Sequence, residues 1–274
     1  MPDSTIHIEP FFLESSRGQL FCLSHKPNTK THGGILYLHP FAEEMHKSRR
    51  MAALQARALA RAGYAVLQID LTGCGDSAGD FGDATWEAWR DDVRLAHTWL
   101  AAQVPGPITL WGLRLGACLA VEMAAELARV TRLLLWQPVN NGEQFLNQFL
   151  RIKLASEMLS EGRAKTGTKD LLAMLAAGTS IEVGGFLLSP AIAQQLPQIK
   201  LAEQVPHCAV EWIEVGTAAG DHVTPASQRV VDTWRAAGVE VRARTVPGDP
   251  FWVTQEISEC PELIEATRAV WNTM

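Results

Sequence analysis

No stretch of this 274-residue chain is long and apolar enough to span a bilayer, so no transmembrane segment is expected. Base is not in excess either. The 24 Lys and Arg face 30 Asp and Glu, a formal charge of −6, which offers no basic face to nucleic acid. The five cysteines (22, 74, 118, 208 and 260) are scattered, odd in number and without C-x-x-C spacing. That argues against a disulfide framework and a zinc site, and for reduced thiols in the cytoplasm. No metal or other cofactor is expected. The N-terminal residues carry no basic region ahead of an apolar core, so they are not expected to form a secretory signal. Internal repeats and low-complexity tracts are lacking too. Histidine is also missing from the C-terminal part of the chain: the last one is His222.

What is present fits a globular protein with a sizeable core, 47% hydrophobic and 20% charged. Residues 6–13 and 19–24 read as a hairpin around Ser15-Ser-Arg-Gly18. Further short apolar strands are expected at 33–38, 64–69, 108–111, 132–136, 209–215 and 239–246. Helices are expected over 48–62, 86–102 (capped by Thr85), 117–127, 225–237 and 261–271. Such alternation predicts an α/β fold with a doubly wound, mainly parallel sheet. Residues 140–198 interrupt it with helical patterns at 145–159, 170–177 and 191–196 and no clear strand. The expected organisation is therefore a core of 1–139 and 199–274 with a helical lid inserted at 140–198.

The central stretch is Ile108-Thr-Leu-Trp-Gly-Leu-Arg-Leu-Gly-Ala117. A buried strand, a Gly-x-X-x-Gly turn and a helix-forming run are the layout of the nucleophile elbow of α/β-hydrolases. The residue at its centre is Arg114, a permanent cation that cannot attack a carbonyl.

Two more matches follow in order along the chain. One is the loop Asp70-Leu-Thr-Gly-Cys-Gly-Asp-Ser-Ala-Gly79. The other is Asp221-His-Val-Thr-Pro225, which looks like the loop presenting the acid of the triad. With them the chain resembles the α/β-hydrolase superfamily over nearly its whole length. His39-Pro-Phe-Ala-Glu-Glu-Met45, Trp111-Gly-Leu-Arg-Leu-Gly116 and Pro250-Phe-Trp252 resemble, more narrowly, the exosortase A system-associated hydrolase 2 group. Proteins of that group are encoded beside bacterial protein-sorting and exopolysaccharide machinery.

The resemblance implies a triad in the chain order nucleophile, acid, histidine. Asp221 matches the acid, but Arg114 stands for the nucleophile. No histidine occurs near Gly248-Asp-Pro-Phe-Trp252, where the third member belongs. Ordinary serine-hydrolase catalysis is therefore not expected, and Ser77 reads as a structural residue of a turn. An oxyanion hole would use the backbone N–H of Leu115 and that of Phe41 or Ala42, and amides at a helix N-terminus bind a small anion.

Arg114 has three readings: a structural ion pair with Asp221, or failing that with Glu43 or Glu44; an anion receptor; or a catalytic group. His39 is a candidate either for catalysis or for a structural role after its strand. Glu43 and Glu44 are candidate bases, loop charges or arginine partners. Phe251 and Trp252 stand where the histidine would be and are expected to close the pocket or stack on Arg114. In the insertion, Phe145, Leu146, Phe149, Leu150, Ile152, Leu154, Met158 and Leu159 form an apolar surface. Leu171, Leu172, Met174 and Leu175 add a second. Such surfaces either enclose an acyl chain, pack on the body or, beside Arg151 and Lys153, meet a membrane surface. Two functions follow. One is a non-catalytic or atypical protein binding an acyl or anionic metabolite, or a protein partner. The other is an ester or thioester hydrolase, or acyl-transfer enzyme, of the exosortase A-associated system with a non-standard mechanism.

Overall fold

The computed structural model describes residues 6–161 and 166–272. Residues 1–5, at the start of the expected leaderless N-terminus, and 162–165 of the expected insertion lie outside the described residues.

The hairpin forms as β1 (His7–Ser15) and β2 (Gly18–Lys26). The chain continues through β3 (Gly33–Leu38), α1 (Glu43–Arg61), β4 (Tyr64–Ile69), α2 (Trp86–Gln103), β5 (Ile108–Leu113), α3 (Leu115–Ala124) and β6 (Val130–Trp136). Then come α4 (Gly142–Glu161), α5 (Thr168–Ala176), β7 (Ile181–Val183), β8 (Phe186–Leu188) and α6 (Pro190–Gln195). The last elements are β9 (Ala209–Gly216), α7 (Pro225–Ala236), β10 (Val241–Pro247) and α8 (Pro261–Asn272).

Eight strands make one sheet in the order β1-β2-β4-β3-β5-β6-β9-β10. The six from β4 to β10 run parallel, and the hairpin joins β4 antiparallel through β2. This is the α/β-hydrolase fold.

The alternation within strands explains the two helical layers. On β6, Leu133 and Leu135 enter one apolar core while Leu134 and Trp136 enter the other. Likewise Leu110 and Trp111 of β5 point to opposite cores. One core holds residues of α2, α3 and α7 and the inner face of α4; the other holds residues of α1 and α8. A strand buried on both faces must be apolar throughout, and all six residues of β5 are buried.

Between β6 and β9 the sequence expectation needs one correction. A two-stranded hairpin, β7–β8, lies in the segment expected to hold no strand, and it forms a sheet of its own. Its turn is Gly184-Gly185, at φ 57° and 85°, the left-handed pair that a tight hairpin demands. Helix α1 also begins five residues before the expected Ser48, which brings Glu43 and Glu44 into its first turn. Carboxylates are favoured there by the helix dipole.

Candidate functional site

Arg114 is the residue between β5 and α3. Its backbone lies at φ 55°, ψ −117°, a sparsely populated region for a residue with a Cβ. Three main-chain hydrogen bonds hold it there. Its N–H donates to Trp136 O at 2.9 Å, and its carbonyl accepts from Ala117 N at 3.1 Å and from Val139 N at 3.4 Å.

Both flanking glycines are required sterically. A Cβ on Gly112 would overlap the backbone of Ala117, and one on Gly116 would overlap the carbonyl oxygens of Leu38 and His39. The start of α3 is thereby pressed against the loop after β3. Ala42 caps α1 with nearly the same strained conformation, φ 50° and ψ −126°. Neither Leu115 N–H nor Ala42 N–H has an acceptor among the described residues. These are two of the amides at which the sequence led oxyanion donors to be expected.

The Arg114 side chain points into a cavity of about 390 Å³. Phe41, Glu43, Glu44 and Lys47 line it from α1 and the loop before it. Phe145, Gln148, Phe149 and Ile152 line it from α4, and Trp252 and Val253 from the β10–α8 loop. Helix α4 and Arg114 therefore face the same cavity. Phe41 binds the two layers together, with edge-on contacts to Phe145 at 5.7 Å and Phe149 at 5.1 Å between centroids.

The guanidinium is well occupied. Nε donates to Glu44 Oε1 at 3.1 Å, Nη1 reaches Gln137 O at 3.4 Å, and the group stands over the Trp252 ring at 5.5 Å. Both members of the ion pair are mostly buried, Arg114 17% and Glu44 15% exposed at the side chain. Burial pushes the Glu44 carboxyl up, and the adjacent Arg114 charge and its hydrogen bond pull back against that. Glu44 Oε2 is buried with no hydrogen-bond partner among the described residues. Glu43 pairs with Lys47 at 3.2 Å across one helical turn.

Several expectations are corrected here. Arg114 does not pair with Asp221. Asp221 is exposed on the β9–α7 loop and is not part of the cavity wall. Glu44, the second-choice partner, holds the guanidinium because the early start of α1 carries it to the elbow.

His39 is spent on structure. Its Nδ1–H donates to Pro40 O at 2.8 Å and its Nε2 accepts from Leu71 N at 3.1 Å. The ring is therefore neutral, and burial lowers its pKa further. Phe251 is fully buried behind Trp252 and packs on Trp136, so only Trp252 reaches the cavity. Ser77 is a structural residue, its hydroxyl bridging Asp70 O at 2.5 Å and Phe21 N at 2.8 Å.

Sequence reasoning did not anticipate Gln137, whose carbonyl helps hold Arg114. The residue sits at φ 43° directly after β6, and no sequence signal marks it. Gln148 was also missed as a wall residue, although its spacing from Phe145 on the same helix would have shown it. No group of residues able to hold a metal occurs among the described residues.

The fold and the elbow define an α/β-hydrolase. Residues 29–170, just over half the chain, match the serine aminopeptidase S33 family, and the chain belongs to that family. No curated protein matches it. Among solved structures it is similar to the ferulic acid complex of Est1E from Butyrivibrio proteoclasticus, with 18% identity, 96% of this chain and 98% of that one covered, and a TM-score of 0.69. A thermostable carboxyl esterase from Bacillus coagulans, in complex with glycerol, shares 18% identity over 98% and 99% of the two chains, with a TM-score of 0.66. XC6422 from Xanthomonas campestris, described as a serine hydrolase without lid, shares 17% identity over 97% and 94%, with a TM-score of 0.59. At such identities the likeness concerns the fold. No helix of the described residues is long and apolar enough to cross a membrane.

Proposed function

We propose that this protein uses the α/β-hydrolase scaffold to bind an acyl-chain ligand in the cavity beneath α4, without triad chemistry. In this reading residues 140–198 are a lid on a core of 1–139 and 199–274. The observation that carries the reading is the cavity itself. At the elbow, where a nucleophile would meet substrate, it holds an arginine already paired, stacked and hydrogen-bonded. Aromatic and aliphatic walls around it suit a hydrocarbon chain. The narrower likeness to the exosortase A-associated group fits this reading and rests on the sequence motifs; a cytoplasmic location fits it too and rests on the number and spacing of the cysteines.

A specific feature favours a second reading, an ester or thioester hydrolase of unusual mechanism. Glu44, its carboxyl pushed up by burial, lines the cavity, and the Leu115 and Ala42 amides have no acceptor among the described residues, so a base and oxyanion donors are both present. Extraction of the purified protein and mass spectrometry of the extract tests the first reading, which expects a stoichiometric lipidic molecule. A panel of acyl esters and thioesters, with Arg114→Ala as control, tests the second. Turnover by the wild type that Arg114→Ala abolishes would replace the binding reading with the enzymatic one.

A further inference from the structure

Four charged side chains line the cavity, and they are paired two by two. Arg114 Nε meets Glu44 Oε1 at 3.1 Å, and Lys47 Nζ meets Glu43 Oε1 at 3.2 Å. The formal charge of the wall is therefore zero, and the remaining lining is apolar apart from Gln148. An arginine at the elbow suggests an anion receptor, but a carboxylate reaching this guanidinium would approach Glu44 at nearly the same range. Repulsion then offsets attraction, while the ligand still loses its hydration on entering a largely apolar cavity. A neutral carbonyl has far less hydration to lose. It can accept from the guanidinium N–H groups that have no protein acceptor among the described residues.

We infer that Glu44 is a selectivity residue: as the internal counter-ion of Arg114 it makes this cavity take ligands with an uncharged polar end and reject free carboxylates. The inference rests on the acyl-binding reading above. It assigns Glu44 a role that a bare buried ion pair would not have, because it predicts which head group binds. It also predicts the direction in which that choice changes when the pair is broken.

The test is isothermal titration of the full chain at pH 8 with three ligands of one chain length: octanamide, octanoate and octylammonium. The wild type should bind octanamide at least tenfold more tightly than either charged ligand. Glu44→Gln keeps the size and polarity of the side chain and removes its charge. That variant should gain at least tenfold for octanoate and change less than threefold for octanamide, leaving octylammonium the poorest ligand.

Octanoate bound best by the wild type, with no gain in Glu44→Gln, would overturn the inference and leave acyl binding standing. Binding of none of the three would sink the acyl-binding reading and this inference with it. Should Glu44→Gln prove unstable, the wild-type ranking of the three head groups decides alone.

Discussion

At position 114 the backbone and the side chain make separate demands. The turn needs Gly112 and Gly116 for clearance and holds residue 114 in a conformation costing of order 1–3 kcal/mol, whatever its side chain. The glycines made that turn legible in the sequence. The partner of the arginine was legible only as a second choice, Glu43 or Glu44 after Asp221, since it depends on where α1 begins. Because the turn is indifferent to the side chain, Arg114→Ser should fold. It should nevertheless remain a poor esterase, within about tenfold of the wild type on p-nitrophenyl butyrate, and resist labelling by a fluorophosphonate. Removing a triad member leaves only ~10³–10⁴-fold acceleration over water, and no histidine follows His222 to take the serine proton. Rapid stoichiometric labelling of the introduced hydroxyl in that variant would show that another base serves the elbow. The ion pair can be weighed by a double-mutant cycle of Arg114→Met and Glu44→Gln, read by urea denaturation. Each single variant leaves an uncompensated, mostly buried partner. The pair should therefore show a coupling of about 1–3 kcal/mol, the double variant being less destabilised than the sum. Additivity within error would mean that the contact contributes nothing.

Among the elements, helix α4 connects packing to the cavity. Its inner residues Phe145, Leu146, Phe149 and Leu150 are buried, whereas Ile152, Met158 and Leu159 of the same expected apolar surface are exposed. The surface was legible as apolar. Its division was not, because a stripe wider than one helix face does not say which part meets the body. The β7–β8 hairpin was missed for a related reason: three-residue strands are too short to show period 2, though Gly184-Gly185 between apolar runs was a usable signal. Phe149 lies on both sides of the packing question. It touches Phe41 and also lines the cavity. Phe149→Ala should cost less than the ~3–5 kcal/mol of a phenylalanine closed in on all sides, since the space it leaves joins an existing cavity. About 2 kcal/mol is expected, together with tighter binding of longer acyl amides. A full-sized loss of stability with no change in chain-length preference would argue that α4 packs on the body without enclosing a ligand.

For the molecule as a whole, two buried ionisable groups outside the cavity pull stability in opposite directions with pH. Burial, helped by nearby Arg57, lowers His25 on β2 to about 4, so the folded protein keeps it neutral. The unfolded chain takes up that proton from about pH 6.5 downward, so this contribution is complete at neutral pH and is lost as pH falls toward 4. Asp92 on α2 accepts hydrogen bonds from Thr72 N at 2.7 Å and Thr72 Oγ1 at 3.0 Å, yet burial outweighs them and raises it to about 6. The folded protein holds that proton where the unfolded chain has released it, so this contribution is present below about pH 4 and is lost as pH rises through 6. Each shift is a little over two pH units, about 3 kcal/mol at the two extremes, and between pH 4 and 6 the two oppose each other. The wild type should therefore show a flatter dependence across that interval than either variant. In Asp92→Asn the amide oxygen can still accept from Thr72 N while its N–H₂ turns to the hydroxyl, so the fold survives and only the titration goes. Its stability relative to the wild type should rise from pH 4 to 6. In His25→Leu the relative stability should fall over the same interval. Urea denaturation at pH 4.5, 5.5 and 7.5 reads both, and parallel curves for the three proteins would mean that neither group changes its proton binding on folding.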